Sequence, residues 1–165
     1  MTVVTEIIVI AHNIRSTHNV GSIFRTSEGF GVRKIILSGY TPYPRLENDP
    51  RLPHISEKLS AQIHKTALDA ESIVPFEYKE VLNLDEFKQA GYRIVALEQD
   101  AKSIPLKEYQ PAEKIALLLG EEVEGITKDI LDQCDDIIEI PMAGKKESFN
   151  VSVATGIALY ALTTA

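Results

Sequence analysis

The feature that most constrains this chain is the alternation of short apolar runs with helical or polar segments. Apolar runs of strand length, rich in β-branched residues, occupy positions 5–11, 33–38, 73–77, 93–98, 114–119 and 136–140. Strands that alternate with helices imply a parallel sheet covered by helices on both faces. The sequence therefore predicts an α/β fold whose parallel sheet is flanked by helices.

The intervening segments have the spacing and end signals of helices. Helical spacing over 20–30 predicts a first helix that carries Arg25 and ends where glycines allow a left-handed cap. Further helices are predicted over 55–70, 84–90 and 150–163, the last with an apolar face. That face is formed by Val151, Ala154, Ile157, Ala158, Ala161 and Leu162.

Two proline-containing segments refine this pattern. The segment 44–53 is rich in Pro, Asp and Asn, and we expect it to be an exposed loop. Pro75 lies inside the run 73–77, which favours an edge position for that strand because proline has no N–H to donate.

The chain has 165 residues, of which 44% are hydrophobic, so a single domain over 1–165 can bury a core without disulfides or metal. Cys134 is the one cysteine, which is typical of a reducing compartment, and no metal site is predicted. No basic leader or long apolar run is present, so we expect a cytoplasmic protein without a membrane span.

The net charge of −7 argues against a protein that holds nucleic acid mainly by global electrostatics. An RNA substrate would need a local basic face. The candidate cations for such a face are Arg15, Arg25, Arg33, Lys34, Arg45, Arg51, Lys145 and Lys146.

Three loops follow predicted strands and combine Gly, Asn, Ser or Glu, beginning after Ala11, Leu119 and Ile140. In open parallel sheets, ligands bind beyond the carboxyl ends of the strands. The loop 120–125 carries three carboxylates and is a poor phosphate cradle, and neither a dinucleotide fingerprint nor a P-loop occurs. These loops are the candidate ligand site.

Ordinary structural roles remain open for the same residues. The loop 120–125 is also typical of an acidic strand-to-helix turn. Either Ser148 or Asn150 is placed to cap the helix 150–163. Arg25, inside a helix, is compatible with a solvated face as well as with a phosphate-facing role.

Taken together, the loops resemble the three motifs of the SpoU/TrmH family of RNA 2'-O-ribose methyltransferases, in the SPOUT superfamily. The first motif resembles 19–32, with its characteristic residues at Asn19 and Arg25. The second resembles 118–126 and places its glutamate at Glu122. The third resembles 140–142 followed by 148–154, with Phe149 where the family more often has leucine. The resemblance covers essentially the whole chain.

The resemblance implies a C-terminal deep trefoil knot, a rare exception to normal chain topology. It also implies S-adenosylmethionine as cofactor and a homodimer with the active site near the subunit interface. The helix 150–163 would supply much of the dimer contact, although its apolar face is also suited simply to cover its own sheet. The expected cofactor contacts are Leu97, Gly120, Ile140 and Ser148, with Met142 and Asn150 as neighbours.

The implied reaction is methyl transfer to a ribose 2'-hydroxyl. Arg25 would activate that hydroxyl or stabilise its charge, and Asn19 would hold the ribose or the loop. Glu122 would fix loop geometry, while Ser148 and Asn150 would shape the pocket. The short chain is similar in size to stand-alone tRNA-modifying members, which favours tRNA over rRNA.

Two other functions remain open at this level. The first is a non-catalytic RNA-binding or assembly factor that kept the fold, which the acidic balance would suit. The second is an enzyme of another doubly wound family, although the phosphate-loop motifs of such families are absent.

Overall fold

The computed structural model describes residues 4–165, in which seven strands form one sheet and every pairing is parallel. The strands are β1 Glu6–His12, β2 Lys34–Ser38, β3 Phe76–Lys79, β4 Arg93–Leu97, β5 Ile104–Pro105, β6 Lys114–Leu119 and β7 Asp136–Glu139. The helices are α1 Thr17–Gly29, α2 Pro53–Ala67, α3 Leu84–Gln89, α4 Lys128–Leu131 and α5 Val151–Thr164, with single 3-10 turns at Ala70–Ser72 and Leu106–Glu108. The predicted α/β class is confirmed.

The order of strands across the sheet is β3-β2-β1-β6-β4-β7-β5. Two late strands are therefore inserted between earlier ones, β6 between β1 and β4, and β7 between β4 and β5. Because all strands are parallel, their carboxyl ends share one edge of the sheet. The loops that follow β1, β4, β6 and β7 consequently meet at that edge.

The sheet is buried on both faces because alternate side chains of each strand point to opposite sides. Val9 and Leu117 belong to one core cluster, which also includes residues of α1, α2 and α5. Ile8 and Leu118 belong to the other cluster, with residues of α3 and α4. Burying each such side chain contributes about 1.5–3 kcal/mol, so this two-sided packing fixes the strand positions.

The helix α1 crosses α2 at short range, and a glycine makes this possible. A Cβ on Gly21 would lie 2.0 Å from Thr66 Oγ1 and 2.3 Å from the Ile63 carbonyl oxygen. Thr66 Oγ1 also donates a hydrogen bond of 2.8 Å to the His18 carbonyl oxygen. Gly21 therefore sets the position of α1, which carries two of the predicted site residues.

Element boundaries differ from the predictions where caps or turns decide them. Ser16 caps α1 by accepting from the Asn19 N–H at 3.1 Å, so the helix begins three residues before the predicted Val20. The edge strand β3 begins after Pro75 rather than before it. The two-residue strand β5 was not predicted, because two residues carry no periodic signal.

The segment 44–53 is a loop up to Pro53, where α2 begins, and it is mostly exposed as predicted, except at Pro44 and around Asp49 and Arg51. The side chains of Asp49 and Arg51 are 6% and 15% exposed and form an ion pair of 2.6 Å. Arg51 also donates to the carbonyl oxygens of Tyr43 and Pro44. Polar residues are buried here because they satisfy one another.

The helix α5 is apolar on more than the predicted face. Ala158 and Leu162 are buried in the core cluster that also contains residues of α1, whereas Ile157 is 38% exposed. Val153 and Tyr160 are also exposed, at 51% and 62%. Within residues 4–165, no helix combines the length and apolar character that crossing a membrane requires.

Candidate active site

A cleft of about 260 Å³ opens at the carboxyl edge of the sheet, where β4, β6 and β7 end beside the start of α5. The predicted cofactor positions Leu97, Gly120, Ile140 and Ser148 all line this cleft. They come from four separate segments of the sequence, and the sheet brings them together because the strands preceding three of them are parallel neighbours.

The turn after β6 is tightly packed, because Gly120 at its start lies against Ile126 at its end. A Cβ on Gly120 would lie 2.4 Å from Ile126 Cγ1 and 2.8 Å from the Ile126 backbone nitrogen. No larger residue fits at this position without moving the turn, so the backbone itself forms this part of the cleft wall.

Glu98 connects the turn after β4 to the turn after β6. Its Oε2 accepts the Ile126 N–H at 3.0 Å, and its Oε1 accepts the Gln99 N–H at 2.9 Å. Gly125 has φ +71, and a Cβ there would lie 2.2 Å from Glu98 Oε2. Sequence reasoning missed Glu98 as a site residue, although its position directly after a buried strand was an available signal.

Glu122 joins the second predicted motif to the first. Its carboxylate accepts the backbone N–H groups of Arg15 at 3.0 Å and Ser16 at 3.2 Å, and the Asn19 side-chain amide at 3.2 Å. Partial burial by itself would raise the pKa of Glu122, but these donors outweigh burial and hold the pKa below its usual value. Glu122 is therefore a carboxylate that fixes the loop after β1.

Asn19 and Asn150 continue this network toward α5. Asn150 Nδ2 donates to Asn19 Oδ1 at 3.1 Å, while Asn150 Oδ1 accepts the Ser152 N–H at 2.9 Å. Asn150 is thus the N-cap of α5, and Ser148 is left to line the cleft. Residues from all three motifs meet through Glu122, Asn19 and Asn150.

Four predicted site residues are not among those that line the cleft: Asn19 and Asn150, which are connected to it through Glu122, and Arg25 and Met142. Arg25 is exposed on α1, and none of the side-chain hydrogen bonds or ion pairs described for residues 4–165 involves it. Met142 is half-buried in the segment between β7 and α5. Within one chain, the structure does not bring either side chain to the cleft wall.

The candidate cations for a local basic face are divided among separate places on the molecule. Five of the eight pair with carboxylates: Arg15 with Glu121, Arg33 with Glu6, Lys34 with Glu77, Arg45 with Glu57 and Arg51 with Asp49. Arg33 and Lys34 lie at the amino end of β2, whereas Arg15 lies beyond the carboxyl end of β1. An RNA surface must therefore be sought locally.

Comparison with known proteins identifies the family. The model of the SpoU rRNA Methylase family matches residues 6–160. The chain is 34% identical to the tRNA (guanosine(18)-2'-O)-methyltransferase of Aquifex aeolicus, over 94% of this chain and 67% of that protein. It is 31% identical to the 23S rRNA (guanosine-2'-O-)-methyltransferase RlmB of Nitrosomonas europaea, over 93% of this chain and 54% of that one.

A solved structure agrees in fold. An AdoMet-bound rRNA methyltransferase from Sinorhizobium meliloti superimposes with a TM-score of 0.80 at 24% identity, over 96% of this chain and 56% of that one. This chain therefore spans about half to two thirds of the length of these relatives. The family match over nearly the whole chain confirms the assignment made from the three motifs: the chain belongs to the SpoU rRNA Methylase family.

Proposed function

We propose that this chain transfers a methyl group from S-adenosylmethionine to a ribose 2'-hydroxyl of RNA, with tRNA as the substrate. The observation that carries the proposal is the convergence of Leu97, Gly120, Ile140 and Ser148 on one cleft. The network of Glu122, Asn19 and Asn150 joins that cleft to the loop after β1.

The cleft wall fits a cofactor of this charge and shape. Apolar side chains of Leu97, Ile140 and Ala154 offer surface for a flat purine ring. The wall is otherwise acidic, with Glu98, Glu121, Glu122, Glu124, Glu139 and Glu147. Carboxylates attract the sulfonium and ammonium groups of S-adenosylmethionine and repel the negatively charged phosphates of a nucleotide. The acidic wall therefore disfavours a nucleotide-binding enzyme of another family.

When bound, S-adenosylmethionine supplies an electrophilic methyl group on a positively charged sulfur. The protein must hold the 2'-oxygen in line with it and stabilise the charge that develops as the hydroxyl proton leaves for solvent. We assign the charge stabilisation to Arg25, because a guanidinium stays protonated near neutral pH and donates to oxyanions. Asn19 and Glu122 act by holding the loop after β1 in position.

A homodimer would give Arg25 a place in this reaction. The apolar side chains Val153, Ile157 and Tyr160 of α5 face a groove shared with Ser22 and Thr26 of α1. Burial of such a groove against a second copy is favourable. Arg25 follows Ser22 by one helical turn, and we propose that it acts on the cleft of the partner subunit.

The dimer is tested by placing a charge in the groove. Ile157→Glu is expected to convert a dimer into a monomer in analytical ultracentrifugation and to abolish methyl transfer, because a buried charge without a partner is costly. Val81→Glu, at a position that is 78% exposed outside the groove, serves as the control. A wild-type protein that sediments as a monomer at micromolar concentration contradicts the dimer.

We also propose that the segment 140–150 is threaded to form the trefoil knot. The insertion of β6 and β7 between strands that precede them supports this, since the segment after β7 leaves from inside the sheet and not from its edge strand. The same segment brings Ile140 and Ser148 to the cleft. The knot and the cofactor cleft would thus be formed by one stretch of chain.

The central experiment measures tritiated methyl transfer to RNA from cells that lack the gene. Wild type should transfer methyl, and Arg25→Ala should lower the rate by about a hundredfold, which is typical of removing one oxyanion donor. Binding of S-adenosylhomocysteine by calorimetry should be unchanged. Arg25→Ala with full activity contradicts the assigned role, and RNA binding without any transfer by wild type favours the non-catalytic alternative.

Mapping of ribose methylation in cells with and without the gene tests the substrate. We expect the missing mark in tRNA, the substrate in the name of the Aquifex aeolicus relative, to which this chain is 34% identical. A mark missing only from 23S rRNA, the substrate in the name of the Nitrosomonas europaea relative, would replace tRNA by rRNA and leave the chemistry intact.

A further inference from the structure

A second cleft lies beside the candidate active site, between the start of α1 and the segment that follows β2. Its walls include Arg15, Ser16, Tyr40, Tyr43, Arg51 and Tyr78, and it is called the aromatic cleft below. We infer that the aromatic cleft holds an unpaired nucleotide of the RNA that neighbours the methylated one. The base would stack on Tyr40 and the phosphate would meet Arg15. The inference rests on the proposed function and extends it to substrate recognition.

The back wall of the aromatic cleft is rigid and has its polar groups satisfied. The rings of Tyr43 and Tyr78 stack with centroids 4.0 Å apart and planes 16° apart. The Arg51 guanidinium lies 3.5 Å from the centroid of Tyr43, and Asp49 and two carbonyl oxygens accept its N–H groups. Tyr78 donates to the Gly39 carbonyl oxygen at 2.6 Å. These residues form a scaffold.

The rim of the cleft is formed by two left-handed turns that fit against each other. Asn13 has φ 56 and Gly39 has φ 65, and Asn13 Oδ1 accepts the Tyr40 N–H at 3.1 Å. A Cβ on Gly39 would lie 1.9 Å from Asn13 Oδ1, so only glycine fits. The main chain of Tyr40 is held in place while its side chain stays 56% exposed.

An exposed, positioned ring beside an exposed cation is the combination that binds unpaired nucleotides, since every base has a face that stacks. Arg15 is 66% exposed in its side chain. Its Nε lies 3.0 Å from Glu121 Oε1, and a hydrogen bond from the guanidinium to the Tyr40 hydroxyl, ahead of the Glu121 charge, raises the pKa of Arg15. Its remaining donors are therefore available to a phosphate.

The location of the aromatic cleft identifies its ligand as part of the same RNA. Arg15 and Ser16 form its wall, and their backbone N–H groups hold the Glu122 carboxylate, which lines the candidate active site. The two clefts thus share one wall. A nucleotide in the aromatic cleft would be adjacent in space to a ribose presented to the methyl donor.

The test uses binding of a fluorescent ten-nucleotide single-stranded RNA with mixed bases, measured by anisotropy on the full chain. Tyr40→Ala is expected to weaken binding by about tenfold, and Tyr40→Phe to restore it, because stacking needs only the ring. Arg15→Gln should reduce the slope of log affinity against log salt by about 0.7, the value for one phosphate on a single strand. Tyr40→Ala should leave that slope unchanged.

Arg33→Gln is the matched control, because Arg33 has a side-chain exposure of 65% and an ion pair of 2.9 Å with Glu6, but lies at the opposite end of the sheet. It should bind RNA as the wild type does. Calorimetry with S-adenosylhomocysteine should give wild-type affinity for the Tyr40 variants, which excludes a general loss of structure.

The outcomes separate this inference from the proposed function. One outcome overturns the inference about the aromatic cleft alone: the wild type transfers methyl, while Tyr40→Ala and Arg15→Gln bind RNA with affinities within twofold of the wild-type affinity. A second outcome is that both variants lose RNA affinity but the wild type transfers no methyl. It supports the inference about the aromatic cleft and overturns the proposed function. Wild type that binds no RNA overturns both.

Discussion

The two ends of the sheet use carboxylates in opposite ways. At the amino end, Glu6 accepts from Arg33 and from the Tyr92 hydroxyl, and Asp136 accepts from Arg93 and from the Tyr109 hydroxyl. These are contacts between side chains of different strands or their flanking segments. They connect neighbouring strands at the amino edge of the sheet.

At the carboxyl end, the acceptors are also carboxylates but the donors are mainly backbone N–H groups of loops. Glu98 accepts from Ile126, Glu121 accepts from Val123 and Glu122 accepts from Arg15. A carboxylate that accepts from the backbone N–H groups of a loop holds that loop in one conformation, and these loops surround the candidate active-site cleft. The comparison teaches that the amino end is arranged for stability and the carboxyl end for a ligand.

The pKa directions agree with this division. The Tyr92 hydroxyl, more than any other group, lowers the pKa of Glu6, and the Arg93 guanidinium lowers the pKa of Asp136. Burial, with the hydrogen bond to Glu6, raises the pKa of Tyr92 to about 12. Changes at the amino end should therefore alter stability, and changes at the carboxyl end should alter catalysis.

The largest effect is expected from Glu122→Gln. In this variant an amide nitrogen, itself a donor, would face the N–H groups of Arg15 and Ser16. These groups would lose hydrogen bonds to a charged acceptor, and such bonds contribute about 1.5–3 kcal/mol. Methyl transfer should fall by about tenfold to a hundredfold. The control is Glu113→Gln, an exposed glutamate before β6 whose side chain forms no hydrogen bond described for residues 4–165. Equal rates for both variants would contradict the division between the two ends.

The next effect is expected from Gly120→Ala. The new Cβ would collide with Ile126, so the turn must move and the cleft must change shape. We expect the affinity for S-adenosylhomocysteine, measured by calorimetry, to fall by about tenfold, with a loss of about 1–3 kcal/mol in unfolding free energy. Gly29→Ala is the control, since its Cβ would meet no atom within 4 Å. Unchanged affinity would show that the turn does not form the cofactor wall.

At the amino end, Asp136→Asn should lower the unfolding free energy by about 1–2 kcal/mol, because it removes the charge that pairs with the half-exposed Arg93. Urea titration measures this, and methyl transfer at a permissive temperature should be unchanged. The pKa of Asp136 is lowered in the folded protein, so its contribution is present above the ordinary pKa of 3.8 and is lost as pH falls through the folded value.

Two results would contradict that expectation for Asp136. The first is a variant whose methyl transfer falls while its stability is unchanged. The second is a variant that loses as much stability at a pH low enough to protonate the wild-type Asp136 as it loses at pH 7, since that protonation should remove most of the difference.

The smallest effect is expected from Tyr92→Phe, which removes only the hydroxyl that donates to Glu6. The loss should be about 0.5–1 kcal/mol of unfolding free energy, because the ring remains packed and Glu6 keeps Arg33 as a partner. Thermal and urea denaturation measure the change. A larger loss than for Asp136→Asn would show that this hydroxyl contributes more to closing the amino end than the Arg93 ion pair.

The sequence by itself determined the fold class, the positions of six of the seven strands and the family. These follow from local information: apolar runs such as 114–119 must be buried on both faces, and the three motifs are contiguous stretches. Leu97, Gly120, Ile140 and Ser148 could be named in advance because the resemblance to the SpoU/TrmH family implied them as cofactor contacts.

Only the tertiary structure decided which of those residues meet and which do not. Contacts between residues far apart in the sequence decide the order of strands and the shared wall of the two clefts. They also include the hydrogen bond from the Ile126 N–H to Glu98. The position of Arg25 outside the cleft of its own chain likewise follows from how α1 packs on α2 through Gly21. Local periodicity cannot encode such contacts, because it specifies which face of an element is buried but not against what.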